Sequence, residues 1–243
     1  MQLIQRIKTT CWLFLAIPCL AEETPPLPTL SIGHWPPYID QSSPSEGILS
    51  RIVLDVYHEA GIEPRVTFDS WANVFQDHLK KPHHLSYGWV KNSERAKNWY
   101  YSDPIAETGV GLWVRTEFNQ PITDYAHLKP YLIGVGRNTS YGQAFEDNKH
   151  TFRRAEFAQE GQGFGMLIAG RIDAFIGDRN IGEYYLSRHK NWQSKVYFLE
   201  TPIFPAAPMY MVCEKKNLDC LPHLKRFNQA LKQYQRQLTA TDN

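Results

Sequence analysis

Arg95 is the first residue of this chain whose setting suggests chemistry. It lies in Asn92-Ser93-Glu94-Arg95-Ala96-Lys97-Asn98-Trp99-Tyr100-Tyr101-Ser102-Asp103-Pro104, a helix-like turn followed by an aromatic, extended run. An arginine held by a short helix beside a strand aims a planar fork of donors that matches a carboxylate. The plainer reading is an exposed arginine paired with Glu94 or Asp103. A second stretch, Gly170-Arg171-Ile172-Asp173-Ala174-Phe175-Ile176-Gly177-Asp178, ends a helix at Gly170 and runs a buried strand into Asp178. Parallel α/β sheets place ligands outside the carboxyl ends of their strands. An arginine from one half and an aspartate from the other would grip a carboxylate and an ammonium group.

Two further features bear on the same site. Gly134-Val135-Gly136-Arg137-Asn138-Thr139-Ser140-Tyr141-Gly142 reads as a strand running into a hydroxyl-rich helix start. There Thr139 or Ser140 and free backbone N–H groups either face an anion or simply cap the helix. Trp35, stiffened by Pro36 and Pro37, either stacks on a ligand or packs beneath its lobe. Gly88, Val90 and Trp71, around the third predicted strand, complete the candidate ligand-binding set. Enzyme motifs are thin. There is no Gly-x-Ser-x-Gly elbow, and His58-Glu59 lacks the second histidine of a zinc-protease helix. His83 and His84 are adjacent, point to opposite faces of a strand, and read as surface histidines. Gly161-Gln162-Gly163-Phe164-Gly165 lacks the lysine and hydroxyl of a phosphate loop and reads as a loop opening a helix. No catalytic residue, metal ligand or cofactor is assigned.

The elements that must position these residues follow from periodicity. Strands are predicted at 30–33, 65–68 and 85–90, with helices at 47–60 and 71–79 between them. The order strand-helix-strand-helix-strand indicates a parallel α/β sheet. After a strand-like stretch at 108–115 and a polar segment at 116–129, the pattern restarts. Strands at 131–135, 173–176 and 195–199, an extended run at 151–157, and helices at 140–147, 163–169 and 181–189 form a second α/β unit. A strand at 209–213 and a final helix striped with Leu224, Phe227, Leu231, Tyr234 and Leu238 complete the chain. The expected fold class is α/β with two lobes. Crossings near 114–119 and 201–207 would form a hinge and an inter-lobe cleft.

The ends and composition bound the rest. Arg6 and Lys8, the short apolar run Cys11–Leu20 and Ala21 resemble a secretory signal, with an anchor helix as the alternative. Cleavage after Ala21 would release the protein into an oxidising compartment. A net charge of +1 offers no basic excess for nucleic acid. Of the four cysteines, Cys11 and Cys19 would leave with the signal. Cys213 and Cys220 flank a polar turn and read as a disulfide. A zinc pair is the alternative, but it lacks further ligands.

These four site features, spread from Leu30 to Leu238, resemble bacterial periplasmic solute-binding proteins of the amino-acid-binding type. These are the family 3 extracellular proteins with the type II periplasmic binding fold. The Arg95 and Ala169–Asp178 segments carry most of the likeness. The resemblance implies that Arg95 binds a ligand α-carboxylate with help from Thr139, that Asp178 binds the α-amino group, and that Trp35 covers the side chain. This chain departs from the family at Gly88-Trp89-Val90-Lys91-Asn92, where small hydroxyl residues are usual, and at Asn138, where glycine is usual. The implied organisation is a signal at 1–21, a first lobe at 22–115 completed by 204–243, and a second lobe at 116–203. The implied function is capture of an amino acid or related carboxylate by a periplasmic monomer serving a membrane transporter permease of the ABC type. Two alternatives stand: an enzyme on the same fold acting on prephenate-like acids through Glu107, Glu183 or Asp178, and a sensor acting through a membrane receptor.

Overall fold

The computed structural model describes residues 26–43 and 46–241. The expected signal, its cleavage site and Cys11 and Cys19 therefore lie outside the described residues. In the first half, β1 (Thr29–Ile32), α1 (Ile48–Glu59), β2 (Arg65–Phe68), α2 (Trp71–Gln76) and β3 (His84–Val90) follow one another. Then come α3 (Ser93–Asn98), β4 (Trp99–Tyr101), β5 (Ala106–Thr108) and β6 (Val110–Arg115). The second half contains β7 (Leu132–Gly136), α4 (Gln143–Asn148), β8 (Arg153–Phe157), α5 (Glu160–Ile168), β9 (Ala174–Asp178), α6 (Arg179–Arg188), α7 (Lys190–Gln193) and β10 (Val196–Leu199). β11 (Ala207–Glu214) and α8 (Leu221–Thr241) end the chain.

The strands form two sheets. One has the order β2-β1-β3-β11-β4, with β5 pairing on β11, and the other runs β10-β6-β9-β7-β8. Both are mixed rather than parallel. β1 runs parallel to β2 and β3, but β11 runs antiparallel to β3, β4 and β5. β7 runs parallel to β8 and β9, whereas β6 is antiparallel to β9 and β10. The strands that break the parallel pattern are those at the passages between sheets. The predicted strand at 108–115 is in fact two, β5 in the first sheet and β6 in the second. The first passage is thus at Gly109, not near 114–119, and β6 lies with the second sheet. The return runs through residues 200–206.

The cores explain the helices. α1 buries Leu49, Val53, Val56 and Tyr57 while Ile48 stays exposed. Tyr57 meets Phe227 of α8 at a ring separation of 5.2 Å. α8 buries Leu224, Phe227, Ala230 and Leu231. Leu238, predicted to belong to that stripe, is exposed, because past Tyr234 the helix has no sheet beneath it. The second sheet has a core on each face, one around Leu112, Ile133 and Ile176 and one around Trp113, Phe164 and Phe175.

Cys213 and Cys220 form a disulfide with a Cα–Cα separation of 5.8 Å, tying the end of β11 to the turn before α8. Closing so short a loop restricts the unfolded chain by about 2–3 kcal/mol. Urea unfolding of the double variant Cys213→Ser/Cys220→Ser is expected to show a loss of that size with the fold retained.

Candidate functional site

Arg95 is aimed by its own short helix. The Asn92 side chain caps α3 by accepting from the Arg95 backbone N–H at 2.8 Å. The guanidinium turns back over the end of β3, where Nη1 donates to the Val90 carbonyl at 3.0 Å. Nη2 donates to the Asn138 carbonyl at 3.3 Å, in the loop after β7 of the other sheet. The head lies over the rings of Trp89 and Trp99, 5.2 and 5.9 Å from their centroids. Only two of an arginine's five donors are thereby used. Glu94 pairs with Lys97, and Asp103 pairs with Lys232. Among the described residues no carboxylate lies within ion-pair distance of Arg95.

Val90 contributes its carbonyl. Gly88, Trp71 and Trp35 form one wall nearby. Gly88 has φ +88°, a conformation that side chains avoid. A methyl group there would sit 3.6 Å from both Trp35 and Trp71. Trp71 lies flat on Gly33, donates to the His34 carbonyl at 3.2 Å and meets Trp89 edge-on at 5.0 Å. Trp35 tilts against Tyr38 at 4.8 Å.

Asp178 ends β9 and caps α6, and it is buried between the sheets. Oδ1 accepts from the Ile181 N–H at 3.1 Å, and Oδ2 accepts from the Gly109 N–H at 2.8 Å and the Tyr38 hydroxyl at 3.0 Å. The Asn180 backbone N–H adds to the donors around this carboxylate. Burial pushes the carboxyl above its usual range, and these donors oppose that rise. Asp178 thus lies inside, but its lone pairs are already engaged. Tyr38 also accepts from Asn180 Nδ2 at 3.0 Å. Arg179 points away from the site to Glu200, at 2.5 Å.

The hydroxyls do not open a helix. α4 starts at Gln143 behind Gly142, whose φ of +94° puts the break after Ser140. Ser140 is buried, accepts from Asn92 Nδ2 at 3.1 Å and donates to Glu146 at 3.0 Å. It therefore fastens the two halves together instead of facing an anion. Thr139 is exposed and lies beside Gly136 and Tyr141, whose hydroxyl accepts from the Gly136 N–H at 2.7 Å. The backbone of Ser93 also crosses the seam, donating to Gln143 Oε1 at 2.9 Å. Two open recesses of about 370 and 420 Å³ flank the seam, one between Asp40 and Arg188 and one beside Gly109 and Phe198. Neither is lined by Arg95. Glu107 and Glu183 are exposed. His84 is half-buried and reaches Ser31 at 2.8 Å, and burial lowers its pKa to about 4, so it is not the expected surface histidine.

Sequence reasoning missed Tyr38 and Glu160. Tyr38 stands three residues after Trp35. Glu160 opens the apolar helix α5, and that isolated acid was the available signal. A methyl at Gly177 would touch its Oε2 at 3.4 Å, which puts the carboxylate against β9, next to Asp178. Burial, aided by the charge of Asp178, pushes its pKa up to about 8.

No family model and no curated protein sequence matches the chain. Solved structures do. The Bordetella pertussis BvgS VFT2 domain aligns with TM-score 0.68 at 15% identity over 85% of this chain and 87% of its own. The GluR0 ligand-binding core from Nostoc punctiforme, in complex with L-glutamate, gives 0.67 at 18%, over 89% and 96%. A substrate-binding protein of an amino acid ABC transporter gives 0.66 at 16%, over 87% and 94%. The fold is the two-lobed periplasmic binding fold. Arg95 bonds the Asn138 carbonyl after β7 and Tyr38 bonds Asp178 at the end of β9, so these three residues stand where the segments of the two sheets meet.

Two outcomes are expected from the seam. Tyr38→Phe removes the hydroxyl from Asp178 and Asn180 and should cost about 1–3 kcal/mol in urea unfolding. Glu160 holds its proton in the folded state to about pH 8 but releases it near the ordinary carboxylate value when unfolded. Between those values the native state binds more protons, so its contribution to stability is full at low pH and is lost as pH rises toward 8. The slope is at most about 1.4 kcal/mol per pH unit, less where water reaches the group. Unfolding midpoints measured from pH 5 to 8 should decline less steeply in Glu160→Gln.

Proposed function

We propose that this protein binds a small ligand bearing a carboxylate, of the amino-acid class, at the seam between its lobes, without making or breaking a covalent bond. The observation that carries this reading is Arg95. It is a desolvated cation, anchored by carbonyls from both sides of the seam and lacking a carboxylate partner among the described residues. The rings of Trp89 and Trp99 beside its head lower the local polarity and strengthen any charge-assisted bond it makes. Trp35 and Trp71, separated by the slot at Gly88, offer flat faces to the rest of the ligand. The proposed lobes meet at Gly109 and at residues 200–206, which serve as the hinge. The solved structures that share the fold include the substrate-binding protein of an amino acid ABC transporter and the GluR0 ligand-binding core in complex with L-glutamate. Their likeness supports capture in the periplasm and delivery to a membrane transporter permease. An enzyme acting through Glu107 or Glu183 finds no support, since both side chains are exposed, and Glu183 faces Arg179 at 3.9 Å.

A thermal-shift screen with amino acids and small dicarboxylates tests this reading. A true ligand at a hundred times its dissociation constant adds about 2.7 kcal/mol to stability. Arg95→Ala should weaken that ligand at least a hundredfold by calorimetry, because it removes two charge-assisted contacts worth about 1.5–3 kcal/mol each. Undiminished binding by Arg95→Ala would overturn the assignment.

A further inference from the structure

Tyr101 stands where phenylalanine would pack as well. It ends β4, half-buried, two residues after Trp99 and so on the same face of the strand. Its ring lies 6.4 Å from Trp99 and meets Tyr210 edge-on at 5.4 Å. Tyr210 is the register partner of Trp89, and Trp89 meets Trp99 at 4.9 Å. These four rings make one aromatic face of the first sheet. The Arg95 head lies over two of them, Trp89 and Trp99. Ring packing needs no hydroxyl, yet Tyr101 carries one. Its oxygen is buried and has no hydrogen-bond partner among the described residues. A buried polar group without a partner costs free energy, and native proteins keep few of them.

Such a hydroxyl serves either as donor to an anion or as acceptor from a cation. Its neighbours favour the anion. Arg95 still has donors unused. The Lys91 ammonium lies 5.5 Å from the Tyr101 ring centroid. Among the described residues neither cation has an acid within ion-pair distance. Glu146, whose charge reaches Arg95, is itself held by Lys149 at 2.7 Å. Burial keeps the Tyr101 proton in place, with its pKa pushed up to about 12. A carboxylate offers two oxygens, enough for a guanidinium and a hydroxyl together.

We infer that Tyr101 is a further ligand-binding residue, its hydroxyl donating to the same ligand carboxylate that Arg95 holds. The assignment rests on the binding reading above and adds to it a second donor from the first lobe. In the free protein the hydroxyl is a cost to the fold. In the complex it is satisfied, and that relief adds to affinity.

Tyr101→Phe keeps the ring and removes only the hydroxyl. Wild type, Tyr101→Phe and Tyr100→Phe are titrated calorimetrically with L-glutamate, L-phenylalanine, L-leucine and glutarate, and unfolded in urea without ligand. Tyr100 is the control, exposed on the opposite face of β4. Tyr101→Phe should weaken the bound compound at least tenfold, as loss of a hydrogen bond to a charged group does. Its urea midpoint should be unchanged or higher, because no partner in the free protein is lost. Tyr100→Phe should match the wild type in both measurements. Undiminished binding by Tyr101→Phe overturns the assignment. So does weaker binding that comes with a lower urea midpoint, which would show the hydroxyl supporting the fold, or an equal loss in Tyr100→Phe. A wild type that binds none of these compounds, nor any in the thermal-shift screen, sinks the binding reading itself, a result distinct from an indifferent Tyr101 variant.

Discussion

The carboxylate of Asp178 sits where four segments of the chain meet: the end of β9, the start of α6, the passage between sheets at Gly109, and the loop that carries Tyr38. A buried charge left alone is among the least tolerable features of a protein interior. This one is tolerated because each oxygen faces donors supplied by backbone or hydroxyl. The dependence runs both ways. Without the carboxylate, the Gly109 and Ile181 N–H groups and the Tyr38 hydroxyl would each lose their acceptor. The passage between sheets and the alignment of the lobes thus share one anchor.

That arrangement divides labour among the charged groups at the seam. Asp178 is committed to the scaffold, and Ser140 and Asn92 are committed to each other across it. Arg95 is left with spare donors. It is half-buried, a setting in which a correctly charged partner gains more and a wrong one loses more than in bulk water. Partial burial acts on Arg95 and on Glu160 differently. A guanidinium remains charged through it, whereas a carboxylate takes up a proton.

Much of the fold was legible in local pattern. The apolar spacing of α1 and α8, the restart of the α/β alternation near residue 131 and the cysteine pair each follow from neighbours a few residues apart. The misreadings also have local causes. Residues 108–115 look like one strand because nothing in their spacing reveals that Gly109 lies between two sheets. Thr139 and Ser140 look like a helix start, but Gly142 adopts a left-handed conformation and moves that start to Gln143. Leu238 belongs to an apolar stripe whose last turns find no surface to cover.

The amino-acid sequence by itself determined which residue types stand beside which strand ends. Arg95 therefore follows β3 and Asp178 ends β9 whatever the packing, since helix and strand periodicity are short-range properties of the chain. Only the tertiary structure decided which of those charges is spent and which is free. Asp178 is occupied because Tyr38, 140 residues earlier, reaches it. Glu160 has its pKa pushed up by its place against β9 beside Asp178, and not by its local sequence. Desolvation and hydrogen-bond satisfaction are sums over all neighbours in space, and spacing along a chain does not record them.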